Sequence, residues 1–152
     1  MKGMLKLTCL TMLLALGSAC QKSNYSGVAS VSYGTSFGMC VGYCVNNLVI
    51  TNETLTFTKS KNGSNPETKT CTSAISTTDV NVMKDLINTA EVAKLPETIG
   101  CPDCADGGAE WVAITYNGKV QKVVFEYGKA PAALTQVVVK FRALKESFKN
   151  CN

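Results

Sequence analysis

Histidine is absent from the 152 residues of this chain. Its absence excludes every Ser-His and Cys-His nucleophile arrangement and every metal site built on imidazole. Serine–lysine and carboxylate mechanisms need no histidine, but no residue spacing in the sequence suggests either of them. We therefore predict a protein that is not an enzyme, with no catalytic residue and no cofactor.

A strong excess of charge is also lacking. From Cys20 onward the chain has 13 basic and 11 acidic side chains, a formal charge of +2. A nucleic-acid-binding protein needs a concentrated basic face, so no nucleic-acid partner is predicted. We interpret the series Lys140, Arg142, Lys145 and Lys149 as the solvated side of a helix.

Long apolar runs are scarce. One uncharged run extends from Leu7 to Ala19; it follows Lys2 and Lys6 and ends in small residues, which is the order of a secretory signal peptide. The run is shorter than the roughly 20 residues of a membrane-spanning helix, and no second run is long enough. We predict a signal peptide over residues 1–19 and export of the remainder.

The end of this signal allows two cleavage modes. Gly17-Ser18-Ala19 suits ordinary signal peptidase, whereas Ser18-Ala19-Cys20 resembles a bacterial lipobox, in which the cysteine is acylated. Gly17 stands where a lipobox usually has leucine. Cysteine parity favours the lipobox, because removing Cys9 and acylating Cys20 leaves six of the eight cysteines to pair.

These observations predict a palmitate-bearing lipid on Cys20, a polar tether within residues 20–27 and a single domain over residues 28–152. The membrane is then a partner through the N-terminal lipid. No acidic cluster follows Cys20, and this favours an anchor on the periplasmic face over one on the cell surface.

The first half of the domain has the pattern of β-strands. β-Branched and aromatic residues alternate from Val31 to Phe37, the period of a half-buried strand. Three similar runs follow at 47–51, 54–59 and 68–75, and Asn52-Glu53 suits a tight turn between the first two.

The second half combines a hairpin with helices. Asn117-Gly118 separates the β-rich runs 111–116 and 119–127, and this dipeptide favours a hairpin because both positions need positive φ. Apolar residues recur at helical spacing after residue 76, with Thr78 or Asp79 as the N-cap. A last apolar stripe follows Pro131: Leu134, Val137, Val138, Phe141, Leu144 and Phe148. The order predicts an α+β fold, an antiparallel β-sheet of about five to six strands with two α-helices packed on one face.

The six remaining cysteines are the clearest candidate site residues. We expect two local disulfides, Cys40–Cys44 and Cys101–Cys104, with Cys71 bonded to Cys151, although sequence alone does not choose among the possible pairings. Cys101-Pro102-Asp103-Cys104 could instead be a redox pair, or could join Cys40 and Cys44 as four thiolate ligands of zinc. Export favours oxidised cysteines, so no metal site is predicted.

Two weaker constellations remain. Asp103, Asp106 and Glu110 could ligate calcium through oxygen, but their spacing fits no EF-hand-like loop. Trp111 and Tyr116 could line a binding surface, although we interpret them as half-buried residues of the sheet.

Several motifs together resemble a family of bacterial lipoproteins of unknown function. Its members carry a C-x-G-x-C-P segment before a strand pair, and here Cys40-Val41-Gly42-Tyr43-Cys44 matches, with Val45 in place of proline. The family continues with a helix, an Asp-containing loop, an Asn-Gly hairpin and a Gly-x-x-Pro-x-x-Leu entry into the last helix. The corresponding residues here are Asp106, Asn117-Gly118, Gly128, Pro131 and Leu134; Cys101, Cys104 and Cys151 are not part of the pattern. The resemblance implies a small extracytoplasmic α+β domain and no activity.

We thus predict a lipid-anchored cell-envelope protein with a non-catalytic binding or interaction domain and a protein partner of unknown identity. One alternative is a thiol redox or Cys-ligated metal protein that uses Cys101 and Cys104. Another is a secreted enzyme inhibitor.

Overall fold

A computed structural model describes residues 27–151 of the chain. The predicted signal peptide, Cys20 and most of the tether lie outside the described residues. Within residues 27–151, no helix is both long enough and apolar enough to cross a bilayer.

Seven strands form one sheet. They are β1 (Val28–Ser36), β2 (Tyr43–Thr51), β3 (Thr54–Lys61), β4 (Thr68–Ala74), β5 (Thr98–Ile99), β6 (Ala109–Tyr116) and β7 (Lys119–Glu126). Their order across the sheet is β4-β3-β2-β1-β6-β7-β5. Every neighbouring pair is antiparallel except β5 and β7, which are parallel.

The turns follow from local chemistry. Asn117 and Gly118 have φ values of 48° and 74°, so the hairpin of β6 and β7 uses the left-handed conformations that this dipeptide tolerates. Asn52, with φ of 52°, turns the chain between β2 and β3. Both predicted turns are confirmed.

Three α-helices cover one face of this sheet: α1 (Thr77–Asp85), α2 (Thr89–Val92) and α3 (Thr135–Lys145). Short 3-10 turns precede and follow α3, at Ala132–Leu134 and Glu146–Phe148. The predicted last apolar stripe is confirmed, since five of its six residues are buried and Leu144 is partly buried against them.

A single apolar cluster lies between the helices and the sheet. Alternate residues of the central strands point into it, for example Tyr33, Leu48 and Val112, which are neighbours across β1, β2 and β6. Met83 and Phe141 contribute from α1 and α3 and are fully buried. Burial of this size is the main source of stability for a domain of this length.

The α+β class is confirmed, but four details of the prediction are wrong. The sheet has seven strands and is mixed, because the two-residue β5 joins its edge in parallel. There are three helices, since the predicted first helix breaks after Asp85 and restarts at Thr89. Its N-cap is Ser76, whose hydroxyl accepts a hydrogen bond from the Asp79 amide at 3.0 Å, and neither Thr78 nor Asp79 occupies that position.

Candidate functional site

The loops that carry most of the unusual features meet at one end of the sheet, here called the loop end. It comprises the β1–β2 loop (residues 37–42), the β5–β6 loop (residues 100–108) and the segment 127–131 after β7. Asp103 fastens the first two together, because one of its carboxylate oxygens accepts hydrogen bonds from the amides of Gly38 and Gly108 at 3.3 and 3.1 Å. The opposite end, with the Asn117 turn, is called the turn end.

Disulfides restrain both loops. Cys40 is bonded to Cys44 and Cys101 to Cys104, with Cα atoms 5.7 and 5.5 Å apart. A third bridge joins Cys71 of β4 to Cys151 near the C-terminus. Among the described residues, no three His, Cys, Asp or Glu side chains are grouped so as to hold a metal.

Apolar side chains project from the restrained β1–β2 loop. Val41 is fully exposed and Met39 is 79 % exposed, the highest values among the large apolar residues of the described chain. Half-exposed Tyr127 lies nearby, with its ring centroid 5.0 Å from that of Phe37 in an edge-to-face contact. Exposed apolar groups held on a rigid loop are typical of a surface that contacts another molecule.

A cavity of about 270 Å³ opens beside these aromatics, between the helix face of β1 and β2 and the end of α3. Its lining combines aromatic, amide, hydroxyl and charged side chains: Tyr33, Thr35, Phe37, Asn46, Tyr127, Arg142, Lys145 and Glu146. The sheet register explains part of this set, since Thr35 lies directly opposite Asn46 on β2 and opposite Glu110 on β6.

A buried ion pair lies beside the cavity. Glu110 is fully buried, and its carboxylate accepts hydrogen bonds from Arg142 at 2.7 and 2.8 Å, from the Tyr33 hydroxyl at 2.5 Å and from the Gly128 amide at 2.9 Å. Burial, followed by the contact with this carboxylate, raises the pKa of Tyr33. The same carboxylate raises the pKa of Arg142. The two-pronged contact fixes the guanidinium at the cavity wall.

Lys145 is the second cation of the cavity. It makes no salt bridge with any residue of the described range 27–151. Burial lowers the pKa of Lys145, and attraction to the carboxylates of Glu146 and Glu110 offsets this only in part. Glu146 is paired instead with exposed Lys149 at 2.9 Å.

A second cavity, of about 320 Å³, shares Tyr127 with the first. It is lined by Cys101, Cys104, Gly107, Gly108, Glu126, Tyr127 and Lys129. Glu126 pairs with Lys129 and accepts a hydrogen bond from the Cys101 amide at 3.1 Å, and these contacts lower the pKa of Glu126. Both cysteines are exposed, so the disulfide between them is accessible from this cavity.

The interpretation of the basic residues of α3 needs correction. Arg142 and Lys140 are not simply solvated, because Arg142 binds Glu110 and Lys140 pairs with Asp79 of α1 at 2.8 Å. The interpretation of Trp111 and Tyr116 as half-buried residues of the sheet is confirmed, since both are partly buried in β6. They lie on opposite faces: Trp111 covers Gly34 on the open face, whereas Tyr116 packs against the core.

The three candidate calcium ligands are also not brought together. Asp103 bonds to loop amides, Glu110 is enclosed with Arg142, and Asp106 lies in an exposed turn. Sequence reasoning missed the buried pair although a signal was present. In β6, Glu110 falls in the same alternating register as Val112 and Ile114, which places a carboxylate on the apolar face.

Comparisons with known proteins do not assign this chain to a family. No protein-family model matches this chain, and no curated protein sequence is significantly similar to it. The resemblance to a family of bacterial lipoproteins therefore stays a prediction.

Proposed function

We propose that the chain is a lipid-anchored protein of the cell envelope whose folded domain binds another protein, without catalysis, through the loop end. The observation that carries this proposal is the exposure of Val41 within the loop closed by the Cys40–Cys44 bridge and of Met39 immediately before it. A rigid loop loses little conformational entropy on binding, and its apolar side chains provide the area that association needs.

The position of the tether supports this orientation. The Asn117 amide donates a hydrogen bond to the Gly27 carbonyl at 3.1 Å, so the described chain starts at the turn end. Strand β1 then runs nine residues to the loop end, a distance of about 30 Å at the usual rise of a strand. A lipid on Cys20 would hold the turn end near the membrane and direct the loop end away from it, on the periplasmic face in our prediction.

Site-specific photocrosslinking in cells tests the binding surface. A photoreactive residue at Val41 should crosslink to one partner, whereas the same residue at Val120, which is 67 % exposed at the turn end, should not. Excess unlabelled protein should compete for the Val41 product. Equal products at both positions, or none at Val41, would contradict the proposed surface.

The anchor has a separate test. The Cys20→Ser variant should lose its lipid and either remain uncleaved or become soluble after processing. A processed Cys20→Ser protein that still fractionates with membranes would show that the anchor is wrongly assigned. The three disulfides of the described region agree with export, since such bonds persist in oxidising compartments.

A thiol redox function is the second candidate, and the exposure of Cys101 and Cys104 beside a cavity favours it. Intact-mass analysis after alkylation without reductant separates the two proposals. Three stable disulfides add no label, whereas rapid labelling of these two cysteines, or bound zinc, would support the thiol-based alternative. An enzyme inhibitor remains a special case of the binding proposal, in which the Val41 partner is a hydrolase whose activity falls on binding.

A further inference from the structure

We propose that the cavity of about 270 Å³ between β1, β2 and the end of α3 binds a small molecule or chain end that carries a carboxylate on a planar or aromatic group. The carboxylate contacts Lys145 and Arg142, and the planar group packs against Phe37 and Tyr127. The inference deepens the proposed binding function and rests on it for biological context. Its chemistry, however, depends on the cavity and not on the exposed loop that carries Met39 and Val41.

The charges of the lining select an anion. Arg142 is neutralised by Glu110 at 2.7 Å, and Glu146 by Lys149 at 2.9 Å. Lys145 is left with a charge that no salt bridge within residues 27–151 compensates, at a site where burial already lowers its pKa. An incoming anion would stabilise this ammonium, since partly desolvated charges interact more strongly than exposed ones.

One uncompensated cation favours a monoanion over a doubly charged phosphate. Arg142 adds hydrogen-bond donors with a fixed orientation. Its Nε and one terminal nitrogen bond to Glu110, while its side chain stays 44 % exposed at the cavity. A guanidinium fixed in this way can present its remaining N–H groups to a second carboxylate without further loss of side-chain freedom.

The aromatic walls define the rest of the ligand. The rings of Phe37 and Tyr127 meet edge to face at 5.0 Å, and the Arg142 guanidinium carbon lies 5.7 Å from the Tyr127 ring centroid. A volume of about 270 Å³ is at the small end for ligand sites, so a single ring with its carboxylate is the size that fits. Asn46 supplies an amide at the same cavity for a further polar group.

Saturation-transfer NMR on the whole detergent-solubilised protein tests this with two matched probes, N-acetylphenylalanine and its uncharged amide. We expect the acid to bind with a Kd on the order of 1 mM and the amide at least about tenfold more weakly, the usual effect of losing one charged hydrogen-bond pair. Equal binding of acid and amide would overturn the proposal.

Two charge-matched variants locate the site. Lys145→Gln should weaken binding of the acid about tenfold and leave the amide unchanged. Lys119→Gln, at the exposed turn end, removes the same charge and should have no effect. Undiminished binding of the acid by Lys145→Gln would also overturn the proposal. The acid–amide comparison in the unmodified protein keeps the test valid even if that variant folds poorly.

A short peptide ending in phenylalanine identifies the source of the carboxylate. If the peptide gives a saturation-transfer signal that Lys145→Gln weakens, the ligand carboxylate is the C-terminus of a protein chain. If N-acetylphenylalanine binds and the peptide does not, the ligand is a free small molecule. The result is distinguishable from failure of the proposed protein-binding function. Loss of the Val41 crosslink with retained Lys145-dependent binding would reject the protein partner and keep the cavity as a small-molecule site.

Discussion

Glu110 connects the buried polar groups at the loop end through its hydrogen bonds. Its carboxylate has no exposed surface and accepts hydrogen bonds from four donor atoms: Nε and Nη2 of Arg142, the Tyr33 hydroxyl and the Gly128 amide. Removing a charge from water is costly, so such a group is stable only while its cation and its hydrogen-bond donors are all present. Arg142 therefore has a structural role in addition to its proposed contact with a ligand.

We expect Arg142→Met to lower the free energy of unfolding by about 3 kcal/mol, because it leaves a buried carboxylate without a counter-ion. The figure is at the low end for buried pairs, since the Arg142 side chain is 44 % exposed. The double variant Glu110→Gln/Arg142→Met should recover part of the loss. Urea unfolding measures both, and a double variant less stable than Arg142→Met would contradict this explanation.

Tyr33 gives a prediction for alkaline pH. Burial and the hydrogen bond to Glu110 raise its pKa in the folded state above the ordinary value of about 10. The unfolded chain therefore releases this proton first as the pH rises. The contribution of Tyr33 is fully present below about pH 10 and is lost progressively as the pH rises from there through the raised pKa of the folded state.

Tyr33→Phe should accordingly be less stable than the unmodified protein at neutral pH, by about 1–2 kcal/mol for the lost hydrogen bond to a charged group. Its stability should then decline less steeply as the pH rises above about 10. Thermal unfolding followed by circular dichroism across this range measures the difference. Parallel curves for the two proteins would show that Tyr33 does not carry the alkaline loss.

At the scale of elements, the start of α1 depends on a reciprocal cap. The Ser76 hydroxyl accepts a hydrogen bond from the Asp79 amide and donates one to the Asp79 carboxylate at 2.8 Å. Lys140, and then this hydroxyl, hold the pKa of Asp79 below its usual range, so the carboxylate stays ionised and joins α1 to α3. The cap and the interhelical contact therefore share one side chain.

Ser76→Ala should cost about 1 kcal/mol of unfolding free energy, the usual loss for an N-cap. Thr78→Ala is the matched control, because Thr78 is exposed within the first turn of the helix and alanine suits that position at least as well. Urea unfolding of the two variants distinguishes the observed cap from the cap predicted by sequence. A larger loss for Thr78→Ala would reverse the assignment.

How far sequence predicts each element depends on how many residues carry its pattern. The hairpin around Asn117 and the stripe of α3 were predicted because turn chemistry and a long apolar period are local signals. Thr98–Ile99 of β5 is too short for any period, and its pairing with β7 is a tertiary contact. The site was predicted least well, because Arg142 approaches Glu110 only when α3 packs across β6.

For the molecule as a whole, the bridge between Cys71 and Cys151 has a different effect from the two bridges within loops. Strand β4 is one edge of the sheet and pairs with β3 alone, so the bridge holds that edge to the chain end. Phe148 supports the same junction from inside, with its ring 5.4 Å from that of Phe57 on β3. The Lys59 ammonium adds a hydrogen bond to the Cys151 carbonyl.

The separation of the bonded cysteines predicts their unequal contributions to stability. The loop closed by Cys71 and Cys151 spans 80 residues and that closed by Cys40 and Cys44 spans 4, so the entropy removed from the unfolded chain differs. Loop-closure entropy gives about 4.5 kcal/mol for the long loop and about 2 kcal/mol for the short one. Replacing each pair by alanine and measuring urea unfolding without reductant tests this, and an equal or larger loss for the Cys40–Cys44 pair would contradict it.

The same variants separate stability from binding. We expect the Val41 crosslink to be retained after loss of the long bridge and to decline after loss of the short one. This result would show that the Cys71–Cys151 bridge stabilises the fold and that the Cys40–Cys44 bridge shapes the binding loop.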